Sequence, residues 1–128
     1  MLETILTETI EAIFNTLPVD LTFVDDTDTV RYYSKGDERI FKRTPAVIGR
    51  KVQDCHPQES LHKVEQVVSD LKSGRRDVAE FWIDLKGRKV YIRYFAVRDK
   101  TGRYIGTLEV TQDITDLQKM TGEKRLLD

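Results

Sequence analysis

Residues 78–115 read VAEFWIDLKGRKVYIRYFAVRDKTGRYIGTLEVTQDIT, and the fold is decided there. Three runs rich in β-branched and aromatic residues, 78–85, 89–98 and 104–115, are separated by Lys86-Gly87-Arg88 and by Asp99-Lys100-Thr101-Gly102. Each break offers a glycine where positive φ costs little, the usual chemistry of a tight reversal between antiparallel strands. The pattern predicts a three-stranded meander. Its middle strand is apolar on both parities, with Val90, Ile92, Tyr94 and Ala96 on one and Tyr91, Phe95 and Val97 on the other. A sheet with one wet face alternates more cleanly, so both faces are expected to be covered.

Working outward, residues 58–72 (QESLHKVEQVVSDLK) place Leu61, Val64, Val68 and Leu71 on one helical stripe, with Val67 beside it. Pro57 suits the start of this helix and Gly74 its end. Residues 35–57 hold Gly36, Pro45, Gly49 and Pro57, which predicts short helical turns. Residues 20–25 and 29–34 read as two short strands around the polar turn Asp26-Thr27-Asp28. Residues 2–17 form an amphipathic helix with Leu6, Ile10, Ile13 and Leu17 along one side, ended by Pro18. That stripe needs a cover, either the sheet or a second copy of the chain. The domain organisation expected is 1–17 as N-terminal helix, 18–115 as core and 116–128 as a polar exit segment. The fold class is α+β: a five-stranded antiparallel sheet with helices packed on it.

Composition narrows the function classes. With 39% hydrophobic and 34% charged residues the chain suits a folded, well-solvated domain. Its 21 basic and 22 acidic residues give a net charge of −1, which argues against a nucleic-acid partner. No apolar run approaches the ~20 residues of a membrane span, and the N-terminus, with Glu3, Glu8 and Glu11, lacks the basic region of a secretory signal. The lone Cys55 has no disulfide partner within the chain, in keeping with a cytoplasmic location.

Three segments resemble a PAS domain over roughly positions 10–116. They are FVDDTDTVRYYS at 23–34, Val47-Ile48-Gly49-Arg50 followed by Asp54-Cys55-His56-Pro57, and the Gly102 turn followed by Gly106 and Asp113-Ile114-Thr115. More narrowly, residues 79–115 and the tail GEKRLL resemble the C-terminal PAS module of prokaryotic proteins that often carry an upstream hemerythrin-like domain. The resemblance implies a sensory or signal-relay module that holds a small molecule or partner, commonly dimerises and is coupled to other signalling domains. The chain lacks the Asn-Cys-Arg motif of the flavin-binding photosensory branch, so flavin photochemistry is not implied.

No serine has a nucleophile-elbow context and no paired carboxylates sit in a glycine-framed cleft, so the chain is read as a non-enzyme. Polar residues inside apolar strands are the candidate ligand contacts: Glu80, Arg93, Thr107 and Glu109. Tyr32 and Ser34 join them at the end of the second strand, a position that often borders the cavity in PAS domains. Arg93 is expected to lie at an edge, to pair with Glu80 or Glu109, or to face a ligand anion, because an unpaired buried charge is costly. His56 and His62 are candidates for an alternative haem-based gas or redox sensor. The helical wheel places His62 toward solvent, about 100° from Leu61 by the 3.6-residue period. Cys55-His56 alone lacks the other ligands of a zinc site. A ligand-free dimerisation scaffold is the remaining alternative.

Overall fold

The computed structural model describes residues 1–127, the side chains of Asp37 and Cys55 apart. Five strands form one antiparallel sheet: β1 (Asp20–Asp25), β2 (Val30–Tyr33), β3 (Val78–Leu85), β4 (Arg88–Arg98) and β5 (Tyr104–Asp113). Their spatial order is β2-β1-β5-β4-β3, so the last strand returns to the middle of the sheet. Two helices, α1 (Thr7–Thr16) and α2 (Leu61–Ser73), accompany it. This is the expected α+β, PAS-like architecture.

The turns explain the meander. Lys86 and Gly87 both have positive φ, 51° and 79°, the mirror-image turn that matches the twist of two flanking strands. The β4–β5 connection is tied by one carboxylate, since Asp99 Oδ1 accepts from Thr101 N, Thr101 Oγ1 and Arg103 N. The same Asp-x-Thr device recurs at Asp25, which accepts from Thr27 and Thr29. It recurs again at Asp113, which accepts from both donors of Thr115.

From β2 at one edge the chain crosses the sheet through short 3₁₀ turns and α2 to reach β3 at the other edge. Residues 49–51 run beside β2: Val30 N–H donates to Arg50 O and Gly49 N–H to Val30 O. α2 is fixed from three directions. Lys72 pairs with Asp28 at 2.8 Å, Arg98 Nη2 donates to the Leu71 carbonyl at 2.9 Å, and Gly74, at φ 80°, ends the helix in the left-handed region. Leu71 is completely buried. The helix begins at Leu61 rather than at 58, because Gln58–Ser60 forms a separate 3₁₀ turn after Pro57.

The N-terminal helix is shorter than the expected 2–17. Leu2–Thr4 is a 3₁₀ turn in which Thr4 Oγ1 bonds the Met1 carbonyl, and Ile5 and Leu6 are extended. Leu17, preceding Pro18, is extended as the proline requires. α1 lies on the sheet face opposite α2. Phe14 packs on Tyr32 with ring centroids 5.8 Å apart, and Asn15 Oδ1 accepts the Lys35 N–H. The apolar stripe divides: Ile10 and Phe14 are half-buried, whereas Leu6, Ile13 and Leu17 remain exposed. Within the exit segment the regular structure is a single 3₁₀ turn, Leu117–Lys119; Asp128 lies outside the described residues.

One irregularity decides which residues face which way. Phe23 pairs with Tyr32 but the next residue, Val24, pairs with Val30, so Arg31 is a bulge. Val30 and Tyr32, two apart in sequence, therefore belong to opposite faces.

Candidate functional site

Between the sheet and α2 lies a cavity of about 590 Å³. That is within the roughly 300–1,000 Å³ typical of small-molecule sites. Its sheet wall is built by strand parity from Thr22 and Val24 of β1, Val30 of β2, Thr107 and Glu109 of β5, Tyr94 of β4 and Phe81 of β3. The register puts Glu109 opposite both Thr22 and Tyr94, and Thr107 opposite Val24, which places these side chains in two adjacent rows on one face of the sheet. The facing wall is the α2 stripe Val64, Val67 and Val68, at the spacing that turns one helical face to the sheet. Val47, Val52, His56, Arg43, Ser60 and Lys63 complete the lining from the crossing segment and the start of α2.

Most of this surface is apolar, and the polar groups converge. Arg43 Nη2 stands 3.8 Å from Glu109 Oε1, and Thr111 Oγ1 donates to the same oxygen at 3.4 Å. The Tyr94 phenol lies beside this carboxylate. Burial first, then the neighbouring negative charge, push its pKa well above the usual tyrosine value, so it stays a neutral hydroxyl. Thr107 Oγ1 is paired with the Tyr104 hydroxyl at 2.8 Å. Thr22 Oγ1 accepts from Arg39 Nη2 at 2.9 Å. His56 Nδ1 is engaged by the Val52 carbonyl at 2.9 Å, leaving Nε2 as its other ring nitrogen.

Arg39 holds the near end of the crossing segment to the sheet. Only 5% exposed, it donates to Leu21 O and Ser34 O through Nη1, to Thr22 Oγ1 through Nη2 and to Phe41 O through Nε. Burial lowers its pKa from the ordinary value, opposed in part by Asp20. Asp20, itself buried, accepts the Ile40 N–H. Two buried charges thus anchor the segment that carries Arg43, Val47, Val52 and His56.

The candidate residues read from the sequence divide. Thr107 and Glu109 line the cavity. Tyr32, Glu80 and Arg93 belong to the opposite face: Tyr32 through the bulge, Arg93 because it lies between Ile92 and Tyr94, and Glu80 because it pairs with Arg93 in the register. Arg93 does not form the expected ion pair with Glu80 or Glu109. Its guanidinium stacks over the rings of Tyr91, 4.7 Å to the centroid, and Phe95, and reaches Gln112 Oε1 at 3.5 Å. The Glu80 carboxylate is taken by the Tyr91 hydroxyl instead. Ser34 is buried at the sheet edge, its Oγ accepting the Leu21 N–H, away from the lining.

Of the two histidines His56 reaches the cavity wall and His62 is exposed outside it. The Cys55 thiol lies outside the described side chains. Among the described residues no cluster of three or more His, Cys, Asp or Glu could hold a metal ion, and no helix is long and apolar enough to cross a membrane. Arg43, Lys63 and Tyr94 were not anticipated. Tyr94 was findable, since it shares parity with Ile92. The two cations, in polar surroundings, carry no such signal.

A five-stranded sheet in this order is covered on one face by short turns and one longer helix around a cavity, the PAS-like arrangement expected above. The sequence matches the PAS domain family over residues 10–115, and the chain belongs to that family. Its fold is similar to the C-terminal domain of a Streptococcus mutans protein, with 39% identity, a TM-score of 0.83 and 89% of each chain covered. It is also similar to the PAS domain of a Colwellia psychrerythraea protein, at 17% identity and TM-score 0.60 over 85% of this chain and 97% of that one. A sensory box histidine kinase from Vibrio cholerae matches at 10% identity and TM-score 0.60, over 84% and 90% of the two chains. No curated protein sequence matches the chain.

Proposed function

We propose that this chain is a cytoplasmic sensory module that binds a small molecule between α2 and the sheet and relays its presence to flanking segments, rather than an enzyme. The cavity carries this reading. Its wall includes β1 and β5, the two strands through which the chain enters and leaves the sheet. A ligand that binds two sheet–helix arrangements unequally shifts the balance between them. Here that shift acts on α1, joined to β1 by residues 17–19, and on the exit segment, held to β4 by Arg88 through Asp113 and Asp116.

The exposed Ile13 of α1 and the exposed Leu6 and Leu17 that flank it, with Val78 and Trp82 on the outer face of β3, support a second element of the proposal, a homodimer built on that side. Output then passes to other signalling domains, a hemerythrin-like domain among the candidates.

Native mass spectrometry of freshly purified protein, repeated after denaturation, tests the reading. A mass excess lost on denaturation supports the sensor and narrows the ligand's class. An apo dimer that takes up no compound from a small-molecule screen refutes ligand sensing and leaves the dimerisation scaffold. A Soret band would identify haem as the ligand, with His56 as the residue to replace.

A further inference from the structure

We propose that the cavity is selective for a monocarboxylate with an apolar body, the carboxylate held at the Lys63 and His56 side and the body lying between the α2 valines and the sheet. The proposal rests on the ligand-binding reading above and names the chemistry of what is bound.

The lining charges carry the argument. Glu109 is the acidic residue of the wall, and Arg43, 3.8 Å away, balances it. What remains is Lys63, exposed at the rim on the first turn of α2 and without an ion-pair partner among the described residues, and the His56 ring nitrogen that Val52 does not engage. The wall therefore carries one cation in excess, and the His56 imidazole lines the same cavity. An anionic head answers that excess, whereas an ammonium head would meet Lys63 unopposed. The rest of the lining asks for hydrocarbon: Val64, Val67 and Val68 face Val24, Val30 and Phe81. The other polar wall atoms are engaged within the protein, Thr22 by Arg39 and Thr107 by Tyr104. A ligand studded with hydroxyls would find few free partners. One charged end and one apolar body is the composition that fits.

Calorimetric titration of the intact chain with octanoate, octanol and octylamine tests this. The expected order is octanoate, then octanol, then octylamine, with octanoate about tenfold tighter than octanol, the contribution of one hydrogen bond to a charged group. Lys63→Met keeps the aliphatic stem and removes the charge. It should bring octanoate and octanol to about equal affinity without weakening octanol; urea unfolding confirms that the variant is folded. Equal binding of octanoate and octanol by the unaltered chain overturns the carboxylate assignment while leaving the cavity a ligand site. Failure of octanoate, octanol and the aryl analogue phenylbutanoate all to bind overturns the assignment too. Joined to a mass spectrum without bound ligand, it also removes the reading beneath.

Discussion

Replacing Arg39 by methionine should destabilise the domain by about 3 kcal/mol. The guanidinium donates four hydrogen bonds inside the protein. Methionine keeps much of the stem's volume and none of the donors. Leu21 O retains the Ser34 N–H as a partner, and the Thr22 hydroxyl can turn to another acceptor. Ser34 O, buried, and Phe41 O, part-buried, lose their side-chain donor, at roughly 1–3 kcal/mol for a buried acceptor left unmet and less for the part-buried one. Buried Asp20 also loses the cation that offsets its charge. Against this stands relief from burying the guanidinium, which keeps the net near the middle of the range. A domain of this size has about 5–15 kcal/mol in total, so the melting temperature should fall by about 10 °C. Urea unfolding should show a lower midpoint with unchanged slope. Hydrogen exchange should show lost protection at the Ile40 amide, which Asp20 holds at 2.8 Å. Arg39→Lys should recover less than half, because an ammonium cannot span the same acceptors. A methionine variant within about 0.5 kcal/mol of the parent would refute the reasoning: the crossing segment would then be held by its apolar contacts alone.

Two further outcomes follow from close geometry. Gly106→Ala would put a Cβ 2.4 Å from the Val24 carbonyl oxygen and 2.5 Å from the Phe23 ring, so one methyl should cost roughly 1–3 kcal/mol, measured as a urea midpoint shift. The Asp113 carboxyl is held down to about 2, by Arg88 first and then by Thr115. A depressed acid stabilises above its unfolded pKa, near 4, and that contribution is lost as pH falls through 2. NMR titration should find the low midpoint, and Arg88→Gln should move it up toward the ordinary aspartate value; an unmoved midpoint would assign the shift to Thr115 alone.

The sheet was legible because the strands announce themselves by composition and by the glycines at 87 and 102. The α2 stripe was legible by its period, and with it the solvent-facing position of His62. What could not be read was the assignment of polar side chains to faces. Alternation along β2 places Val30 and Tyr32 together, and only the bulge at Arg31, a property of the pairing with β1, separates them. Arg93 looked expensive because a charge among apolar residues invites a carboxylate partner; two aromatic rings supply the contact instead. Arg39 sits in a polar stretch that gives no hint of burial, since its acceptors are three backbone carbonyls and one threonine hydroxyl, brought together from β1 and from both sides of the residue itself. The repeated Asp-x-Thr turns were visible as letters, and their common role needed the three loops side by side.

β1 and β5 are neighbours, and Asp20, where the chain joins the sheet, pairs with Thr111, two residues before it leaves. The doorway in and the doorway out are thus one strand spacing across and two residues along, about 8 Å apart. A host polypeptide interrupted at an exposed loop could receive this domain as a splice, because its severed ends would be held almost as close as before the cut. On the sensory reading proposed above, cargo held inside the domain is felt by the host as a small change in the width or angle of a single pinch point.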